Sequence, residues 1–237
     1  MSRRAIILAG GKGIRMRPYT VVLPKPLMPV GEFPILEVIV RQLVRHSFDH
    51  VTMAVNHQAE IIRAFFQDGA KWGVKIDYSM EDKPLSTMAP LRLIDDLPEN
   101  FMVMNGDILT DLSYSDFYES HVSNNNIFTI SAHSREQKVD YGVLEMDENN
   151  HLTGFTEKPS AEYLVSMGIY MASRRIMDFI PVGKSYGFDN LMLDLLAAGK
   201  PASVQKFDGY WLDIGRPDDY VQAIEEFEQM KQRFLGE

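Results

Sequence analysis

A short apolar run, Ala5-Ile6-Ile7-Leu8, leads straight into the glycine cluster Gly10-Gly11-Lys12-Gly13. Four consecutive aliphatic or small apolar residues bounded by a glycine loop describe a strand, here Arg3–Ala9, buried inside a sheet. Glycine lets the backbone come close to a ligand and leaves its amides bare, so the loop after this strand suits an anion. The same grammar continues downstream. His50–Val55, Val74–Met80 and Phe101–Asn105 read as further strands. Between them, helices are expected from Pro34 to about His46, over Gln58–Phe66 and, more briefly, over Ala89–Ile94. Strands alternating with helices imply an α/β fold with a parallel sheet and right-handed crossovers.

The second half changes character. Ile127–Ser131, Tyr141–Glu145, His151–Thr156 and Leu164–Met171 resemble strands of a mixed sheet, with Asp147-Glu148-Asn149-Asn150 as a turn. Helices are expected at Arg174–Phe179 and Phe188–Ala198, and a strand at Ala202–Phe207. A last helix begins near Pro217. Asp218 and Asp219 lie in its positive first turn, Lys231 and Arg233 in its last, and Tyr220, Ile224, Phe227 and Phe234 share one face. The 237 residues hold no repeat, low-complexity tract or linker, so one domain is expected over 1–237. Its parts would be a first half over about 1–125, a second half over about 126–215 and a terminal helix at 216–235.

Charge is strongly local. The first 31 residues carry six basic side chains and no acidic one, in a chain whose formal net charge is −9. A broad basic surface, which nucleic-acid polymers require, is therefore not expected, whereas a small polyphosphate on a local patch is. No apolar run is long enough to cross a membrane. The complete absence of cysteine removes disulfides and thiolate metal sites, and the basic start reads as a strand rather than a signal peptide, which together favour the cytoplasm. The six histidines show no metal-ligand spacing on one face, and no Gly-x-Ser-x-Gly elbow supports serine hydrolase chemistry. A dinucleotide fingerprint is not met either: Gly11 and Gly13 fit Gly-x-Gly-x-x-Gly, but Met16 occupies the third glycine position. Nor does Gly11-Lys12-Gly13 supply a Walker-type loop.

The longer pattern is more specific. Leu8-Ala9-Gly10-Gly11-x-Gly13-x-Arg15-Met16-x-Pro18-x-Thr20, followed by Pro24-Lys25-Pro26-Leu27-x-Pro29-Val30, resembles the signature of the sugar-1-phosphate nucleotidyltransferases. Asn105-Gly106-Asp107, Tyr141-Gly142-Val143, Glu157-Lys158-Pro159, Gly168-Ile169-Tyr170 and Trp211-x-Asp213-Ile214-Gly215 follow in matching order, so the resemblance covers nearly the whole chain. It implies a Rossmann-like three-layer sandwich with a mostly parallel mixed central sheet. It also implies a catalytic core without the C-terminal extension of larger relatives, its nucleotide-binding half at about 1–125 and its sugar-binding half at about 126–215. An NTP and a sugar 1-phosphate would be the ligands, with Mg²⁺ bound by Asp107 and Asp213; no membrane or nucleic-acid polymer is implied, and a homodimer is left open. Arg15, Lys25 and Asp107 would be catalytic. Leu8, Ala9, Gly10, Gly11, Gly13, Glu81, Ser86 and Thr87 would bind the nucleotide, and Asn105, Gly142, Glu157, Lys158 and Ser166 the sugar phosphate.

Three departures from the family pattern bear on substrate choice. Ile14 stands where threonine is common, Arg216 where threonine is typical, and Leu85-Ser86-Thr87-Met88-Ala89-Pro90 where relatives usually read Leu-Gly-Thr-Ala-Gly. Ser86, Met88 and Ala89 are expected to crowd base and sugar. The resemblance to mannose- and heptose-1-phosphate guanylyltransferases makes GTP the first expectation, with UTP, CTP and dTTP behind it. A regulatory paralogue that binds a nucleotide sugar without making it is the competing reading. Retention of Arg15, Lys25, Asp107, Lys158 and Asp213 together speaks against it.

Overall fold

The computed structural model describes residues 2–56 and 58–236; Met1, His57 (one of the six histidines) and Glu237 lie outside the described residues. In chain order the strands are β1 (Arg4–Leu8), β2 (Pro29–Val30), β3 (Phe33–Pro34), β4 (His50–Val55), β5 (Lys75–Met80), β6 (Asn100–Asn105), β7 (Ile108–Thr110), β8 (Phe128–Lys138), β9 (Val143–Met146), β10 (Leu152–Thr156), β11 (Ser160–Ser173), β12 (Ser203–Lys206) and β13 (Trp211–Asp213). The helices are α1 (Ile35–Arg45), α2 (Ala59–Phe66), α3 (Tyr114–Ser123), α4 (Phe188–Ala197) and α5 (Pro217–Leu235). The segments Ala89–Leu93 and Arg174–Asp178 form 3-10 turns rather than full helices.

Seven strands make the central sheet in the order β12-β8-β11-β6-β1-β4-β5. β1 pairs in parallel with β4 on one side and β6 on the other, and β4 continues in parallel to β5. β11 runs antiparallel to both β6 and β8, which makes the sheet mixed. Both faces are buried. Ala5 and Ile7 of β1 join one core with α1, α2, α3 and α5, while Ile6 joins a second core with α4 and the Ala89–Leu93 turn. Burying a Leu, Ile or Phe side chain contributes roughly 1.5–3 kcal/mol, so two such cores hold the sheet between two layers. No helix among the described residues is long and apolar enough to cross a membrane.

Several expectations change. The expected strand at Ile127–Ser131 extends through Lys138, and that at Leu164–Met171 spans Ser160–Ser173. Together β8 and β11 leave the body as a two-stranded arm, with a register shift between Ser166 and Tyr170. The arm leads into a separate two-stranded sheet of β9 and β10. α3 escapes periodicity because only Tyr114, Phe117 and His121 of its ten residues are buried; its sequence signal is the cap, Ser113 Oγ accepting from Asp116 N at 3.4 Å. On α5, Ala223 takes the buried place expected for Ile224, which is 46% exposed. His46 and His50 hold separate partners, Ser115 Oγ at 3.0 Å and Asp77 Oδ2 at 2.6 Å, and so form no ligand pair.

His121 gives the fold a pH signature. It is fully buried, with Nδ1 on Thr129 Oγ1 at 2.8 Å and Nε2 without a partner. Burial, aided by the Arg175 charge, pushes its pKa from 6.5 down to about 4. A group depressed in the fold must stay neutral there, so the stability it confers is present above about pH 6.5 and lost as pH falls toward 4. Urea midpoints should fall across that window, and His121→Gln should flatten the decline; parallel profiles would assign the loss to other groups.

Candidate active site

The sheet collects its functional residues at the carboxyl ends of β1, β4, β5 and β6, the usual location of ligands in open α/β sheets. β1 does not stop cleanly: Ala9 N donates to Ala54 O at 2.8 Å, and Gly106 N to Leu8 O at 3.1 Å. These bonds tie three strand ends together just where the glycine loop departs. Gly13 has φ +57, and a Cβ there would lie 2.8 Å from Thr20 Cγ2, so this position needs glycine. Thr20 Oγ1 closes the loop by donating to Gly13 O at 2.7 Å. Met16 is fully buried while Arg15 and Arg17 on either side are exposed, so one apolar anchor holds the turn and leaves the Arg15 guanidinium facing outward.

Lys25 reaches back from its 3-10 turn to donate Nζ to Asp107 Oδ2. Asp107 follows β6, and its other oxygen, Oδ1, is buried with no partner. Asp213 arrives from β13, which pairs with β7 so that Asp213 faces Ile108, and Ile214 N donates to Asp107 O at 3.1 Å. Burial and then the Asp107 charge raise the Asp213 carboxyl above its ordinary range, against the pull of Lys25 and Arg15. Two neighbouring hard-oxygen carboxylates, one with an orphaned oxygen and one strained toward protonation, fit a divalent cation such as Mg²⁺. A phosphate and water would complete its shell.

Three cavities lie in a row. The first, about 310 Å³, is lined by Gly11, Gly13, Arg15, Lys25, Asp107 and others of the loop. The second, about 600 Å³, opens between Gly10, Asn56, Glu81, Ser86, Thr87 and Asn105, and shares Leu8 and Asp107 with the first. A third of about 600 Å³ begins at Arg15 and Gly215 and extends under the arm. In the second cavity Glu81 Oε2 accepts from Leu85 N at 3.1 Å, and burial raises its carboxyl. Its Oε1 would lie 3.2 Å from a Cβ placed on Gly10, so bare backbone and carboxylate face each other closely.

The structure brings Leu8, Ala9, Gly10, Gly11, Gly13, Arg15, Lys25, Glu81, Ser86, Thr87, Asn105 and Asp107 to the first two cavities, and Asp213 to the third. It does not bring Gly142, Glu157 or Lys158 to any of the three. These lie on the exposed β9–β10 unit, where a Cβ on Gly142 would meet the Phe155 ring at 2.6 Å and Glu157 Oε2 at 3.2 Å. Ser166 is engaged in the arm's register shift, donating to Tyr170 Oη at 3.1 Å and accepting from Gly168 N at 3.2 Å.

The expected crowding by Met88 and Ala89 is corrected. Both are buried in the second core, so their bulk replaces apolar packing instead of filling the cavity. Of the three residues expected to crowd the ligand, Ser86 lines the cavity, at φ +70, a left-handed conformation in which glycine would be unstrained. Thr87 Oγ1 is occupied, accepting from Phe188 N at 2.8 Å at the start of α4. Sequence reasoning missed Asn56 and Arg135. Asn56 directly follows β4 and had that strand-end signal; Arg135 is an exposed strand residue that only the arm's path brings to a cavity wall.

Lys25 is 10% and Asp107 20% exposed as side chains, so Lys25→Ala strands a largely buried carboxylate. A loss of about 2 kcal/mol in urea unfolding is expected, below the 3–5 kcal/mol of a fully buried pair. A change within about 0.5 kcal/mol, the range of ordinary surface substitutions, would show that the pair is not sequestered in solution.

A family model described as Nucleotidyl transferase matches residues 4–230. The UTP–glucose-1-phosphate uridylyltransferase of a Synechocystis species is 35% identical over 93% of this chain and 62% of its own length. A probable mannose-1-phosphate guanylyltransferase 1 of Oryza sativa is 31% identical over 93% of this chain and 63% of its own. The chain thus spans under two thirds of these curated relatives. The crystal structure of HddC from Yersinia pseudotuberculosis aligns with TM-score 0.74 at 26% identity, covering 95% of this chain and 99% of that one. Complexed with GMP-PN, HddC aligns with TM-score 0.72.

Proposed function

Since the chain belongs to the nucleotidyl transferase family, we propose that it transfers a nucleotidyl group from an NTP to a sugar 1-phosphate, giving an NDP-sugar and pyrophosphate. The observation that carries this reading is the meeting of Lys25, Asp107 and Asp213 beside a loop of bare glycine amides. A sugar 1-phosphate is already anionic and needs no general base. The difficulty is bringing it to the α-phosphate of another anion, so catalysis amounts to positioning and charge neutralisation. Gly10, Gly11 and Gly13 amides would wrap the triphosphate, Lys25 would bridge phosphates in the transition state, and Arg15 would neutralise the leaving pyrophosphate. Mg²⁺ held by Asp107 and Asp213 would supply Lewis-acid polarisation of the α-phosphate. The sugar would be met by Asn105, which lines the second cavity; Gly142, Glu157, Lys158 and Ser166 line none of the three cavities, and their expected part rests on the family pattern alone. The lack of cysteine favours a cytoplasmic setting.

For the base we propose guanine, with mannose or heptose 1-phosphate as acceptor. Glu81 supports it: one oxygen is held by Leu85 N, leaving the other to accept from a base edge. Guanine presents two neighbouring donors, N1–H and the 2-amino group, where uracil presents one. The relatives named for mannose-1-phosphate guanylyl transfer agree with this choice. Uridylyl transfer to glucose 1-phosphate is the second reading, favoured by the Synechocystis relative.

Pyrophosphate release should be followed over four NTPs and a panel of sugar 1-phosphates with Mg²⁺. GTP is expected to lead, and Glu81→Gln to narrow its advantage over UTP by about tenfold, one lost discriminating contact. Arg15→Ala and Asp107→Ala should each reduce turnover at least ~10²-fold with the fold intact. Binding of nucleotide sugar without release from any pair would instead identify a regulatory paralogue.

A further inference from the structure

The third cavity holds two guanidinium groups, besides that of Arg15, to which the nucleotidyl transfer assigns no part. Arg135 on the arm and Arg216 at the head of α5 line it together with Arg15. None of these three guanidinium groups makes a hydrogen bond or ion pair with the described residues. Of the acids around them, Glu136 faces Lys138 at 3.6 Å and Asp219 Oδ2 accepts from Gly215 N at 3.1 Å and Arg216 N at 2.8 Å, while Asp213 feels the charges of Asp107, Lys25 and Arg15. Three unpaired planar forks around one cavity of about 600 Å³ are suited to a compact polyanion bound through several oxygens.

The order of the cavities says which anion. The cavity at Glu81 meets the central one at Asp107, and the central one meets the third at Arg15, whereas the Glu81 cavity and the third share no residue. A nucleotide with its base at Glu81 and its α-phosphate at Asp107 therefore has its β- and γ-phosphates at Arg15, aimed at Arg135 and Arg216. In the transfer, an oxygen of the sugar 1-phosphate forms a bond to the α-phosphorus while the bond from that phosphorus to the β-bridging oxygen breaks. The electron pair leaves with pyrophosphate and no proton moves. In-line displacement sends the leaving group away from the incoming oxygen, toward the third cavity.

We propose that Arg135 and Arg216, with Arg15, form a pyrophosphate pocket that receives the leaving group. This deepens the proposed nucleotidyl transfer and rests on it. It also gives Arg216, a departure from the family pattern, a positioning role, and it makes the arm a wall of the site through Arg135.

The test is calorimetric titration of inorganic pyrophosphate with Mg²⁺ into the parent protein, R135A/R216A and R135K/R216K, with KM for the best sugar 1-phosphate measured alongside. Both side chains are exposed, and thermal midpoints should agree within about 2 °C, in line with the small effects of surface substitutions. The alanine pair should weaken pyrophosphate binding at least about tenfold, one lost charge-assisted contact or more. The lysine pair should recover part of it, and KM for the sugar phosphate should change less than pyrophosphate affinity does. Undiminished pyrophosphate binding by R135A/R216A in an enzyme that turns over overturns this inference alone. An equal rise in the sugar phosphate KM also overturns it, assigning the pocket to the acceptor instead. A parent protein that releases pyrophosphate from no substrate pair overturns the reaction and this pocket together.

Discussion

The site depends on one topological constraint: β1 has parallel neighbours on both sides, β4 and β6, reached by chain that leaves in different directions. Such a point opens a crevice at the strands' carboxyl ends, because the connections diverge instead of closing over it. Here the crevice is kept narrow by backbone. Ala9 bonds to β4 and Gly106 to the end of β1, so the glycine loop and Asp107 leave the sheet within hydrogen-bonding reach of the same strand. Two apolar cores press on this arrangement from opposite faces, which leaves the polar residues only the sheet's edge on which to gather.

Electrostatics then organises the crevice. An acidic chain concentrates its early cations on the loop, and the fold sets Lys25 directly on Asp107. That pair is an internal counterweight, an ammonium set on a carboxylate in a largely buried place, while the unpaired Oδ1 and the neighbouring Asp213 stay available to a cation. Arg15 is left without such a partner, held out by the buried Met16 beside it. The site therefore has neutralised charge at its centre and free positive charge toward one end, an asymmetry that matches a reaction in which a polyanion departs in one direction.

The arm shows where local pattern stops being informative. Alternation in β8 and β11 was readable near the body, where Phe128, Thr129, Ala132 and residues 169–173 are buried. Beyond it both strands are exposed, and nothing in Arg135-Glu136-Gln137-Lys138 distinguishes a strand from a loop. The same applies to α3, whose three buried positions form too thin a stripe to register as a helix. It applies as well to Met88 and Ala89. A glycine-poor loop read as crowding the ligand, yet those side chains turn into the core formed with Leu91, Ile176 and Leu191, a direction that only packing can set.

What the residues alone determined was the chemistry and its frame. The strand into glycines, the cations of the loop and the carboxylate after β6 were legible because each follows from local rules: burial of an apolar run, glycine at a close backbone approach, and strand ends as sites for polar residues; Asp213 was reached only through the resemblance to the family pattern. What only the tertiary structure decided was adjacency. Asp107 and Asp213 are more than a hundred residues apart and meet through the β7–β13 pairing, and Arg135 comes to the cavity of Arg15 and Arg216 only through the path of the arm. Such contacts are products of how sheets and helices exclude water around them, a property of the whole assembly that no local stretch of residues encodes.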